Sequence, residues 1–234
     1  MQSVKDFIKD NKKIGSKKGL LEVPFADGKS YSFSKPTNKA KILVLDTETT
    51  GLSYIKDEII EIAGVGVEVD RDSFEVTGVK ALFDYFNQPS EPISPKITEI
   101  TGITNEDVEG QSYDLKSISQ WIRRCDIILA HNATFDRPFV DKLPLDWDEL
   151  VRPWACSCID YDWKALGFPN RKLEGLLEHC GYEYSAHRAI NDCLATAFLL
   201  TLYPDCVRNI LSFTEQETFR VSITKNPYGS HPVS

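Results

Sequence analysis

Four carboxylates and one histidine are the residues that could do chemistry together: Asp46, Glu48, Asp136, Asp192 and His187. Asp46 and Glu48 close the apolar run Ile42-Leu43-Val44-Leu45. Side chains on a strand alternate faces, so positions i and i+2 project together. Two adjacent carboxylates repel, and one holds a proton unless a cation neutralises the pair. A D-x-E pair alone is weak, because solvated acidic pairs are common on surfaces. This one follows four residues expected to be buried and precedes the turn Thr49-Thr50-Gly51, where it has little structural purpose.

Asp136 ends His131-Asn132-Ala133-Thr134-Phe135-Asp136, just after a second apolar run, Ile127-Ile128-Leu129-Ala130. Alone it reads as a cap for the helix containing Pro138. Beside the first pair it becomes a third ligand on the same sheet edge. His187 and Asp192 lie in His187-Arg188-Ala189-Ile190-Asn191-Asp192. On a regular helix, i and i+5 are roughly 140° apart. The spacing therefore predicts His187 in a loop and Asp192 in the first turns of the helix that follows. A lone histidine is more often a packing or surface residue; this one leads into a helix carrying a carboxylate.

An oxygen-rich donor set suits Mg²⁺ or Mn²⁺, whereas zinc would draw on cysteine or several histidines. The expectation is two divalent cations held by Asp46, Glu48, Asp136 and Asp192. Two ions about 3.5–4 Å apart stabilise both the attacking and the leaving oxygen of a phosphodiester displacement. Histidine titrates near neutrality, so one at position 187 can accept a proton from the attacking water.

Several elements must position these groups. The run at 42–45 predicts a buried central strand. Glu58–Val69 and Val79–Phe86 predict two further strands in an antiparallel meander. Helices are expected at Pro95–Thr101 and Ser112–Arg123, a strand at Ile127–Ala130, and a helix over Thr134–Leu143. A fifth strand fits Trp154–Cys158, and helices fit Lys172–Cys180 and Ala189–Leu202, the last stopped by Pro204. This order implies an α/β fold: a mixed five-stranded sheet, three antiparallel strands then parallel ones, flanked by helices. Residues 1–40 read as an extension, with Val4, Phe7 and Ile8 at helical spacing. Within it, Ala26-Asp27-Gly28-Lys29 between two apolar runs signals a β-hairpin. Residues 41–204 read as the main domain and 205–234 as a C-terminal segment. A strand is plausible over residues 215–224, and a longer natural protein stays open.

The 234 residues suffice for one sizeable core. No apolar run approaches the ~20 residues that span a bilayer, and Met1-Gln2-Ser3-Val4-Lys5-Asp6 lacks a signal-peptide core. The default expectation is cytoplasmic, with no membrane partner. The six cysteines have no zinc spacing; Cys156 and Cys158 are separated by a single residue. Reduced, mostly buried thiols are expected. The net charge of −8 argues against a non-specific DNA coat protein. It does not exclude a nuclease, since metal-binding carboxylates raise the acidic count and bound cations reverse the local sign.

The chain resembles the DnaQ-like DEDDh exonuclease family of the ribonuclease-H-like fold. Asp46-Thr47-Glu48-Thr49-Thr50-Gly51-Leu52, Asn132-Ala133-Thr134-Phe135-Asp136 and His187-Arg188-Ala189-Ile190-Asn191-Asp192 are similar to its three motifs, in order. Pro95 to Thr104 resembles the segment between the first two. The likeness spans roughly residues 41–203 and leans toward the exonuclease X and polymerase III epsilon branches. It implies 3′→5′ hydrolysis of single-stranded nucleic acid, releasing nucleoside 5′-monophosphates. Asp46 would bridge both ions, and Glu48, Asp136 and Asp192 would complete their shells. Thr47, Thr49, Leu52, Asn132 and Phe135 would seat the terminal nucleotide, stacking being sequence-tolerant. Family members often carry histidine where Thr101 stands, so one nucleotide contact is expected to differ. DNA is favoured over RNA, with a polymerase or repair protein as partner. The rivals are an exoribonuclease of the same family and an inactive binding module.

Overall fold

The computed structural model describes residues 5–6, 21–22, 25 and 29–215. The expected strand over 215–224 falls beyond these residues except at Glu215, and most of the Val4–Ile8 helix also lies outside them. Among the described residues, no helix is long and apolar enough to cross a membrane.

Five strands form where the apolar runs demand them: β3 (Lys39–Thr49), β4 (Ile59–Asp70), β5 (Val76–Phe86), β6 (Ile127–Ala130) and β7 (Trp154–Cys156). The helices are α1 (Pro95–Thr101), α2 (Asn105–Val108), α3 (Leu115–Arg124), α4 (Ala133–Val140), α5 (Leu173–His179), α6 (Ala189–Leu202) and α7 (Pro204–Ser212). β3, β4 and β5 run antiparallel, while β6 and β7 continue the sheet parallel to β3. The fold class is the expected one, but among the described residues the sheet has six strands. The sixth, β2 (Tyr31–Ser32), pairs with the outer edge of β5 and gives the order β2-β5-β4-β3-β6-β7.

Among the described residues, the two flanks of the hairpin expected in the extension pair elsewhere. β1 (Leu21–Glu22) pairs in parallel with β8 (Tyr182–Glu183), while β2 joins the main sheet. The Asp-Gly signal is local, whereas an open sheet edge offers a longer ladder and a core to pack on. Phe25 and Phe33 are buried in that core with Phe198.

β3 is central and covered on both faces. Ile42 and Val44 face α5, α6 and α7; Leu43 and Leu45 face α3 and α4 through Ile118, Ile122, Phe139 and Val140. Burial on both faces abolishes the two-residue alternation, which is why the strand reads as an unbroken apolar run. That run marks only the doubly buried part. The ladder with β4 extends from Lys39↔Asp70 to Thr49↔Ile59, so Asp46 and Glu48 lie within the strand.

α6 is apolar on nearly every side and buried over most of its length, from Ala189 to Thr201. Pro204 ends it, as expected, and also opens α7, which was not expected. Proline is well suited to the first helical position, where no N–H is required. Cys206, Val207, Ile210 and Leu211 then place one face of α7 in the core.

Candidate active site

The strand-to-helix transitions bring the expected residues to one end of β3. Asp46, Glu48 and Asp192 each offer a carboxylate oxygen, all within 4.8 Å of one another. Asp46 and Glu48 share a face of β3 by strand alternation, and α6 crosses that face. Asp136 is buried on α4 and stands outside this triad. It is not the helix cap. Asn132 holds that position, and the Asp136 Oδ1 instead accepts the Thr47 N–H (3.0 Å) and hydroxyl (2.8 Å). Asp136 is thus tied to the residue between Asp46 and Glu48.

Asp192 lies in the first turn of α6 and His187 in the bend before it, as the spacing required. His187 is exposed and has φ +64°, a left-handed conformation rare for a residue with a Cβ. Its backbone N–H donates to Asp192 Oδ2 (3.0 Å), and the Tyr184 hydroxyl donates to Oδ1 (2.7 Å).

The cluster is electrostatically strained. Burial, reinforced by Asp136, Asp192, Glu48 and Glu61, raises the Asp46 carboxyl well above the ordinary range. Burial and the charges of Asp192, Glu61 and Asp136 push Glu48 up to about 8, with Arg188 pulling the other way. Burial takes Asp136 to about 7 despite its bonds from Thr47, and burial also raises Asp192. Burial and mutual repulsion thus favour the protonated forms unless a cation neutralises the cluster. An all-oxygen donor set in that state fits a hard divalent cation.

The residues expected to seat a nucleotide differ in availability. Leu52 is 87% exposed, on a turn where Ile55 is also exposed. Phe135 is half-buried against Phe139, and Asn132 is exposed, its Oδ1 accepting from the Thr134 hydroxyl. Thr49 is buried and donates to Gly51 O (2.6 Å), and both donors of Thr47 are committed to Asp136. Thr101 is buried at the end of α1, its hydroxyl donating to Ile97 O and accepting from the Ile103 N–H. An apolar groove of about 350 Å³ beside Trp121 lies between α3 and the β2–β5 edge. It includes none of the carboxylates, and its Leu43 wall belongs to the other face of β3.

Sequence reasoning missed Glu61 and Arg188. Glu61 is fully buried on β4, opposite Glu48 in the ladder, and Arg188 grips it. The available signal was a charge inside Ile59-Ile60-Glu61-Ile62-Ala63, a run otherwise suited to a buried strand. The thiols are as expected: all six are free, four buried and two half-buried. His131, also buried, bridges the Ser157 hydroxyl and Arg171 O at 2.9 Å, and burial lowers it to about 4, so it is neutral.

A mixed sheet whose central strand meets flanking helices in a carboxylate cluster defines an α/β exonuclease domain of the ribonuclease-H-like kind. Residues 43–200 match the RNase_T exonuclease family model, and the chain belongs to this DnaQ-like exonuclease family. It is 35% identical over 168 residues to the PolC-type DNA polymerase III of Bacillus subtilis (strain 168), covering 68% of this chain and 11% of that polymerase. The chain thus spans about a tenth of the length of that curated relative. Exonuclease X in complex with 5′-overhanging duplex DNA superposes with a TM-score of 0.53 at 23% identity, over 74% of this chain and 99% of the other. A zinc-bound complex of E. coli exonuclease I with single-stranded DNA gives 0.57 at 20% identity, over 74% and 43%. These two likenesses establish the fold.

Proposed function

We propose that this chain is a metal-dependent 3′→5′ exonuclease that removes nucleoside 5′-monophosphates from single-stranded DNA, with residues 41–204 as its catalytic domain. The observation that carries the reading is the cluster of Asp46, Glu48 and Asp192 within 4.8 Å, whose carboxyls burial and like charge raise above their ordinary range. Asp46, Glu48, Asp136 and Asp192 are the residues that would hold two divalent ions, Mg²⁺ or Mn²⁺. When bound, such ions neutralise the scissile phosphate and acidify the attacking water.

The chain's own groups do the remainder. Asp46 feels the charges of Glu48, Asp136 and Asp192, which makes it the natural shared ligand. Tyr184 and the His187 N–H hold Asp192 in one orientation. His187, exposed at the rim, is free to accept the proton of the attacking water as general base. Leu52 and Phe135 offer apolar surface to a terminal base, which they would grip without reading its identity. DNA is favoured because the curated relative is a DNA polymerase and both structural likenesses hold DNA. For the same reason a DNA polymerase is the partner class proposed.

The test uses 5′-labelled single-stranded DNA and matching RNA, with Mg²⁺, Mn²⁺ or EDTA. A ladder shortening from the 3′ end, faster on DNA and absent in EDTA, is expected. Faster loss of RNA would reassign the substrate, and intact strands under every metal would overturn the activity.

A further inference from the structure

We propose that Glu61 and Arg188 are positioning residues that hold His187 over the carboxylate cluster. The inference rests on the exonuclease reading above and deepens it by assigning work to two residues outside the ligand set.

A carboxylate with no exposed surface is costly to bury unless every lone pair is matched. Besides the Asp84 carboxyl, which shares a hydrogen bond with Glu61 and is raised to about 7 by burial and by Glu61, its donors come from one direction. The Arg188 Nε lies 3.2 and 3.1 Å from its two oxygens, Nη2 lies 3.1 Å from Oε1, and the Ala189 N–H donates to Oε2 at 3.1 Å. A planar fork against a carboxylate fixes angle as well as distance. The Phe86 ring supports the guanidinium at 5.0 Å.

The guanidinium and amide contacts fall on the two residues that follow His187. Arg188 is the N-cap of α6 yet makes no side-chain cap bond. The first amide of the helix is satisfied instead by Glu61, reaching across from β4. α6 is therefore capped by the sheet, and the cap clamps the chain immediately after position 187. On its other side, His187 is strained into φ +64° and bonded through its own N–H to Asp192. A residue in that conformation persists where its surroundings over-determine it.

Stability alone does not account for the pair. Glu61 is a fifth carboxylate beside the cluster, directly opposite Glu48 in the β3–β4 ladder, where it adds like charge. An apolar residue would fill the same space without that penalty. It could not hold a guanidinium and an amide at defined angles. The role assigned is positioning: neither residue touches substrate, and both act through His187.

The experiment compares wild type, Glu61→Gln, His187→Ala and the double variant on a 5′-labelled single-stranded oligonucleotide with Mn²⁺. Glu61→Gln keeps the size but loses the paired charged acceptors. It is expected to lower kcat about 10²-fold with KM within about twofold, as for a misplaced catalytic group. In the His187→Ala background the same change is expected to cost less than about twofold, because the group being positioned is gone. Losses that multiply, or a Glu61→Gln rate equal to wild type, would overturn the proposal. If Glu61→Gln fails to fold, Arg188→Gln, at a side chain 36% exposed, is expected to give the same pattern. The His187 imidazole proton resonance, assigned by its loss in His187→Ala, needs no turnover. It should shift and broaden in Glu61→Gln, and an unchanged line counts against positioning. Should wild type cleave nothing, the activity falls while this resonance still decides the inference.

Discussion

The β3–β4 ladder ends in acidic groups on both sides, and the two ends behave in opposite ways. At one end, opposite Lys39, Asp70 accepts the Thr37 N–H (2.6 Å) and hydroxyl (2.9 Å) and the N–H groups of Asp72 (2.9 Å) and Ser73 (3.2 Å). Those bonds, led by Thr37 and Asp72, hold its carboxyl down at about 2. At the other end, Glu48 stands opposite Glu61, and burial among carboxylates lifts it to about 8. The residue types are nearly identical. What differs is the supply of donors. The Asp70 end satisfies its charge from the backbone and closes a turn. The Glu48 end has no such set of backbone donors, and the proposed cation would take their place.

The contrast is broken most severely by removing Asp46. Asp46→Ala is expected to lower DNA cleavage about 10³-fold or more, several kcal/mol of transition-state stabilisation. The same variant should melt higher than wild type in EDTA, because one repelling carboxylate has gone. Cleavage near wild type, read on a sequencing gel, would end the metal-ligand assignment.

His187→Ala comes next. A lost general base costs about 10²–10⁴-fold, while Mn²⁺ affinity by calorimetry should be almost unchanged because His187 is assigned as base and not ligand. An equal fall in affinity would make it a ligand.

The two ends also predict opposite pH limbs in thermal melting. Asp70 is lowered from 3.8 to about 2, so its contribution is complete above pH 4 and lost as the pH falls to 2. Glu48 is raised from 4.5 to about 8, so its contribution is complete below 4.5 and lost as the pH rises through 8. Metal-free protein should therefore lose stability on both sides. Saturating Mn²⁺ should restore about 5–10 °C at pH 8 and nothing at pH 3. A metal-independent alkaline limb would count against the cluster as its origin.

The smallest effect belongs to the satisfied end. Asp70→Asn should lower the melting temperature measurably and leave cleavage untouched. Activity loss at constant fold would mean the two ends are coupled.

Much of this was legible in advance where one residue type carried one meaning. The doubly buried strands β3 and β6 announced themselves as apolar runs, and α6 was delimited by its apolar length and by Pro204. Asp46, Glu48 and Asp192 could be placed together from strand parity and helix spacing. Other features depended on choices made at a distance. The Asp27-Gly28 signal is compatible with a hairpin, but β1 and β2 each found a different partner strand. Pro204 reads as a stop, and only burial of Val207 and Ile210 shows that it is also a start. Asp136 alone reads as a cap, and its bonds from Thr47 depend on the fold.

By itself the sequence determined the fold class and pointed to Asp46, Glu48 and Asp192 as one group. Both follow from local periodicity and from residue chemistry, which travel with the chain. Tertiary structure decided how each carboxylate is satisfied. The partners of Asp136 and Glu61 lie 89 and 127 positions away along the chain. A hydrogen bond has a reach of about 3 Å, so no local pattern can show which charges the fold neutralises and which it leaves for a cation.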